Sequence, residues 1–249
     1  MAHLPSPARI IDDKMVRGLA IETSGRMGSL AVSIDGRAVA EEQFPHGLQH
    51  AAGIVPIIDG LCRGQGWRPG DLEEIYVSAG PGSFTGLRVG ITVAKTLAFA
   101  TGAKVVAVPS VEVLARNAPA GWKNLIIVLD AKREQIFTAS FENRAGQPVL
   151  REPAHVDSLT EMLRRTPRPM HLLGEGIPHH EKFISRDDPG IHTTDADCWR
   201  ARASVVAELG HAMARATQFA DPMTLAPIYI RKPEAEEKLE ARSTGPRSQ

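Results

Sequence analysis

The chain has 249 residues, 43% apolar and 23% charged, with 29 basic side chains against 29 acidic ones. That length permits one large core or two lobes, and the zero balance excludes a free-standing polyanion binder working by bulk charge alone. Cys62 and Cys198 lie far apart without metal or redox spacing, which excludes a disulfide framework or zinc site and points to a reducing cytoplasm.

Residues 1–17 carry a single apolar pair, Ile10 and Ile11, and read as a disordered extension rather than a signal peptide. No later stretch approaches the ~18 uninterrupted apolar residues of a spanning helix, so no membrane contact is expected. From Gly18 come three strand-like runs, GLAIETS, SLAVSID and RAVAEEQF, the last two joined by Asp35-Gly36, a hairpin signal. Leu48, Ala51, Ala52, Val55, Ile58 and Leu61 then recur at helical spacing and predict an amphipathic helix ending near Gly64 and Gly66, kinked at Pro56. EEIYVSAG reads as a strand, Thr85–Thr101 as a helix, KVVAV as a buried strand, and Pro109-Ser110 as the start of a short helix with Ser110 as N-cap.

The second half opens similarly. NLIIVLDAK, EQIFTASF and QPVLREP read as strands, with a turn at Asn143 to Gly146 before the third. A helix over Ser158–Arg165, a strand at MHLLG, a loop rich in His and Asp, a helix from Ser204 to about Gln218 and a last strand, APIYIR, complete the pattern. Two lobes that each begin with a strand meander suggest an internal duplication: 18–118 and 119–231, the second degenerate, followed by a mobile tail over 232–249.

The most distinctive motif is GPGSFTGLRVG, Gly80 to Gly90. Lys95-Thr96 lacks the preceding glycine of a Walker loop, the glycine spacing is not that of a dinucleotide fingerprint, and Pro81 and Thr85 stand where a nucleophile elbow needs glycine. Spacing alone predicts a tight strand-to-helix turn capped by Ser83 or Thr85, whose helix-terminal N–H groups can hold an anion. In the helix that follows, Gly86, Gly90, Ala94 and Ala98 form a smooth stripe, and the preceding helix leaves Gly53, Gly60, Ile54 and Ile57 outside its main apolar face. Each interior glycine costs about 1 kcal/mol relative to alanine, so such stripes imply close approach of another backbone, either in this chain or in a partner. His46 and His50 have the H-x-x-x-H spacing of a metal pair, with capping or solvent exposure the favoured reading. His171, His179 and His180 with Glu175 and Glu181 form a looser cluster, and Asp130, Lys132, Arg133 and Glu134 read as a charged turn.

Taken together, the LAIETS–SLAVSIDG hairpin, PIIDGL, GPGSFTGLRVG with AKTLA, VPSVEVLA, DAKREQIFTASF and PIYIRKPEAEEK resemble the TsaB (YeaZ-like) family, from about Gly18 to Lys238. The resemblance implies an α/β fold of the actin-like ATPase (ASKHA) type, with two ribonuclease-H-like lobes. It implies a non-catalytic, cytoplasmic subunit of the machinery that makes threonylcarbamoyladenosine beside the tRNA anticodon, pairing with the catalytic paralogue TsaD and recruiting the ATPase TsaE. Such a subunit meets tRNA only through the complex, and homodimers are the competing state. The partner interface then falls on Gly53, Ile54, Ile57, Gly60, Gly86, Gly90, Ala94 and Ala98, and Gly90→Arg is expected to abolish pairing while leaving the fold intact. Ser110 and Leu114 stand where the paralogue carries its metal-binding histidine pair, so neither metal nor any other cofactor is expected. A vestigial nucleotide-binding site is placed at Thr23 and Ser24 in the first lobe and at Gly174 and Gly176 in the second, with Glu175 opposing a phosphate and Glu22 unremarkable at its strand end. The alternatives are an actin-like small-molecule kinase or a glycoprotease-like metallopeptidase, which ATP turnover or bound metal in the isolated chain would reveal, and a binding module for an unrelated helical partner.

Overall fold

The computed structural model describes residues 15–45, 51–185 and 187–231. His46 and His50, residues 1–14 and the tail over 232–249 therefore lie outside the described residues. Strands β1 (Arg17–Glu22), β2 (Met27–Ile34) and β3 (Arg37–Pro45) form an antiparallel meander whose second turn places Asp35 and Gly36 at φ of 50° and 77°. Positive φ at both central residues matches the twist of the flanking strands. The chain continues through α1 (Ala51–Gly64), β4 (Glu74–Gly80), α2 (Phe84–Thr101), β5 (Lys104–Pro109) and α3 (Ser110–Ala115). β4 runs parallel to β1 and β5 parallel to β4, giving the sheet order β3-β2-β1-β4-β5.

The second half repeats this plan. It comprises β6 (Asn124–Ile127), β7 (Leu129–Asp130), β8 (Ile136–Arg144), β9 (Gln147–Asp157), α4 (Leu159–Arg165), β10 (Met170–Leu173), α5 (Ile177–His180) and β11 (Ile191–Thr193). β7 continues β6 in the same register against β8 after a break at Val128. β8 is antiparallel to β6 and to β9, whereas β10 is parallel to β6 and β11 to β10. The sheet path β9-β8-β6-β10-β11 thus has the same order and directions as the first, the duplicated ribonuclease-H-like topology of an actin-like fold.

Alternation along the central strands sends side chains to two cores. Leu19, Ile21, Ile75 and Val77 pack outward against Ile54 and Ile58 of α1 and Ile91 and Ala94 of α2. Ala20, Tyr76 and Val106 face inward to a layer shared by α3, the helix α6 (Ala203–Arg215) and the Leu125, Ile127 and Phe141 face of the second sheet. The outer face of the second sheet, Ile126 and Ile136, is covered by Leu159, Met162 and Leu163 of α4. α6 falls within 119–231, yet it packs across the first sheet. Its Gly210 backbone lies so near Tyr76 that a Cβ would stand 2.5 Å from the ring, and its Ala203 N–H donates to Ser29 Oγ at 2.8 Å.

Two local expectations are corrected. APIYIR is not a strand: β4 is already flanked by β1 and β5 and has no free edge, so the backbone of the segment meets it at its end, where Ile228 N–H donates to Ala79 O at 2.7 Å. Ser110 does not cap α3, whose N-cap position is Pro109; its hydroxyl instead accepts the Gly80 N–H at 3.1 Å and ties the β5–α3 junction to the end of β4.

Candidate functional site

β1 ends in a carboxylate with no access to solvent. Glu22 Oε1 accepts the Ser24 N–H and hydroxyl at 2.5 and 2.6 Å, and Oε2 accepts the Ser78 hydroxyl. Burial pushes this carboxyl above its ordinary value of 4.5, the bonds from Ser24 and Ser78 oppose that rise, and the nearby charge of Glu175 adds to it. Thr23 and Ser24 are accordingly buried. Both Ser24 donors are engaged by Glu22, and Thr23 Oγ1 faces α2, where a Cβ on Gly90 would come within 2.3 Å of it. Of the two hydroxyls expected at the vestigial nucleotide site, that of Ser24 is spent on Glu22, whereas that of Thr23 is buried with no hydrogen-bond partner.

The opposing turn, Gly174-Glu175-Gly176, is wedged against the second sheet. Gly174 takes a φ of 140°, and a Cβ there would lie 2.3 Å from Val128 O; Gly176 donates its N–H to the same carbonyl at 2.9 Å. Glu175 projects from this turn to the loop after β1, where both its oxygens accept the Arg26 N–H, at 3.1 and 3.0 Å. The Arg26 guanidinium lies 4.0 Å from Glu175 Oε2 through Nε and 3.0 Å from His179 Nε2 through a terminal nitrogen.

The glycine-rich turn closes onto the same loop. Ser83 donates its backbone N–H to Ser24 O at 2.7 Å, and its hydroxyl caps α2 by accepting the Gly86 N–H at 3.3 Å. Gly86, Gly90, Ala94 and Ala98 are buried against this chain's own first sheet, so their assignment to a partner interface is corrected. At Gly90 the missing side chain makes room for the side chains of Thr23 and Ile21. Ile54, 1% exposed, is likewise core, together with Ile58, Leu61 and Cys62. Val55, placed by spacing on the buried stripe, is 58% exposed. Consequently Gly90→Arg would drive a guanidinium into Thr23 and Ile21 and would not leave the fold intact.

Gly53 and Gly60 remain at the surface with no neighbour that a Cβ would meet within 4 Å, and Ile57 is half-buried beside them. On α2, Thr92, Thr96 and Phe99 are exposed, Phe99 at 88%. α2 contains no acidic residue, and the segment over 221–231 lies against it as a strap. Lys95 Nζ donates to the Met223 and Leu225 carbonyls at 3.3 and 3.1 Å, and Arg88 donates to Tyr229 Oη at 2.9 Å while lying 3.8 Å over the Phe84 ring. Of the ten large hydrophobic side chains exposed among the described residues, six belong to α1, α2 or this strap: Val55, Phe84, Phe99, Met223, Ile228 and Tyr229.

The histidine cluster does not assemble. His171 stacks on His192 at 4.9 Å between β10 and β11, His179 meets Arg26, and His180 is buried with Nε2 3.6 Å from Asp130 Oδ1. Glu181 lies in the short 3-10 turn after α5. Among the described residues, no group of three or more His, Cys, Asp and Glu side chains is placed to hold a metal. The β7–β8 turn is more contorted than a charged turn requires: Lys132, Arg133 and Glu134 take φ of 64°, 54° and 59°. Asp130 accepts the Lys132 N–H and Nζ at 3.0 and 2.7 Å, and Glu134 pairs with Lys182. Ser110 and Leu114 are both buried, 0% and 3% exposed.

Spacing alone misses Glu22 and the strap. An acid closing an apolar run and followed two residues later by serine is the signal for the first, because a buried carboxylate needs local donors. The signal for the second is the aromatic and aliphatic content of PIYIR, which is too apolar for a free tail.

A family model described as TsaD: tRNA N6-adenosine threonylcarbamoyltransferase matches residues 47–238. The tRNA threonylcarbamoyladenosine biosynthesis protein TsaB of Bacillus subtilis is 32% identical over 225 residues, which cover 88% of this chain and 96% of the relative. The protein of the same description from Escherichia coli is 28% identical over 130 residues, 51% of this chain and 55% of its own. Among solved structures, YeaZ from Pseudomonas aeruginosa superposes with a TM-score of 0.72 at 23% identity, covering 86% of this chain and all of that one, which shows a shared fold.

Proposed function

The chain belongs to the TsaB family of tRNA threonylcarbamoyladenosine biosynthesis proteins, and from that premise we propose that it is a non-catalytic subunit that pairs with a TsaD-type paralogue through the outer face of α1, α2 and the strap. The observation that carries this reading is the concentration there of exposed apolar side chains beside Gly53 and Gly60, whose open flanks admit a partner helix closely. A TsaE-type ATPase then joins the pair, tRNA is met only through the complex, and a second copy of the chain competes for the same face when the paralogue is absent. The compartment is the cytoplasm; among the described residues no helix is long and apolar enough to cross a membrane.

A catalytic reading as kinase or metallopeptidase is less well supported by the residues themselves. A hydroxyl engaged by Gly80 N–H and an isobutyl group in the core are not metal ligands. The donors of Ser24 are engaged by Glu22, which supports a subunit that turns over no nucleotide of its own. Val55→Asp tests the face without touching the core. It is expected to weaken co-purification with the TsaD-type partner by about 30-fold or more, the cost of burying one unpaired charge at an interface centre being about 2 kcal/mol. Its circular dichroism and melting temperature should stay at wild-type values. Partner recovery at wild-type yield would remove the face from consideration.

A further inference from the structure

Six histidines lie among the described residues, and four of them stand beside a charged side chain. His155 is within reach of Glu152 and Asp157, His179 of Arg26, His180 of Asp130 and His211 of Glu74. His171 and His192 instead face each other, with ring centroids 4.9 Å apart and planes inclined at 33°. We propose that this pair is a two-imidazole site for a divalent transition metal of the zinc and copper class, its remaining coordination positions open to water or to an incoming ligand.

The fold sets both rings on one face and at one level. β10 and β11 run parallel with His171 paired to His192, and in-register neighbours on adjacent strands project from the same side of a sheet. Met170 and Leu172 face the outer core, so alternation turns His171 the other way, alongside Leu125, its register partner on β6. Along that row burial runs out towards the edge of the sheet: Leu125 is buried, His171 half-buried and His192 exposed. Nδ1 of His171 is buried with no hydrogen-bond partner, which leaves Nε2 as the ring nitrogen that an ion can reach from outside. Metal and protons compete for an imidazole, and here the fold favours the metal. Burial first, and then the charge of His192, push the His171 ring below its ordinary value of 6.5. Rotation of the two rings out of their stack aims both at one ion. The pair belongs to the second sheet, whereas the pairing face is that of α1, α2 and the strap, so a failed metal test would leave partner pairing untouched.

Titration of the full chain with Zn²⁺ tests it, in a His46→Gln, His50→Gln background because those two histidines have metal spacing of their own. The background chain is expected to bind the ion saturably, and the side-chain NMR signals of His171 and His192 should shift together across the titration. His192→Gln, at an exposed position on an edge strand, should keep the circular dichroism of the background chain. It should also weaken the affinity about tenfold or more, since a single imidazole remains. Saturable binding that is indifferent to His192, or shifts confined to other histidines, overturns the proposal, as does the absence of saturable binding. Should His192→Gln lose its circular dichroism, the signals of the background chain decide. Coupled shifts of both rings there support the site, and their absence contradicts it.

Discussion

Glu22 is held by three donors in a site that excludes water, and the balance of those effects has a measurable sign. Its folded-state carboxyl titrates above 4.5, so over the interval from 4.5 upward the folded chain retains a proton that the unfolded chain has released. The contribution of this residue to stability is therefore greatest below 4.5 and declines as pH rises towards the folded value. Glu22→Gln removes that decline, because its amide oxygen can still accept from Ser24 and the Ser78 hydroxyl can rotate to accept from the amide nitrogen. Melting temperatures measured from acid to neutral pH should show the variant gaining on wild type as pH rises. Parallel curves would mean that Glu22 is ionised at no cost. A carboxylate of this kind is hard to read from sequence, since a strand-end acid looks solvated until both faces of its sheet are known to be covered. The serine two positions on is the only local hint.

At the scale of elements, the helices were legible as helices but not in their rotation. Ile54, Val55, Ile57 and Ile58 are all apolar, so periodicity admits two stripes about one residue apart, or 100°. Packing against β1 and β2 decides for Ile54 and Ile58 and leaves Val55 in solvent. α2 shows the same ambiguity in another form. Its row of small residues implied close approach of a backbone, and the contact is with Thr23 and Ile21 of the same chain. The two kinds of glycine should respond oppositely to a methyl group. Gly60→Ala, with open space at the Cβ, should stabilise by about 0.5–1 kcal/mol through helix propensity. Gly90→Ala should destabilise by about 1–3 kcal/mol, because the added carbon would lie 2.3 Å from Thr23 Oγ1 on a stiff β-branched side chain. Urea denaturation of both variants checks the pair. Equal effects would mean that Gly90 is not in close contact with β1.

For the whole molecule, the meander openings at Gly18 and Asn124 were enough to suggest duplication, and the two sheets repeat one strand order and one set of directions. What sequence could not show is how the halves are joined. α6 crosses back to the first sheet, Glu175 reaches from the second turn to the first, and Arg231 at the end of the strap donates to Ala131 O at 2.8 Å. These are contacts between residues 100 or more positions apart, and no local pattern encodes them. The exposed apolar side chains Val55, Phe99 and Met223 of α1, α2 and the strap take no part in these contacts. With 29 basic and 29 acidic residues, the molecule offers tRNA no net attraction, in keeping with a subunit that acts through a protein partner. The most direct measurement is reconstitution of threonylcarbamoyladenosine formation on unmodified tRNA with TsaD- and TsaE-type proteins. Product is expected when this chain is present, little when it is omitted or replaced by Val55→Asp, and none from this chain alone. Full product without the chain, or turnover by the chain on its own, would contradict the account.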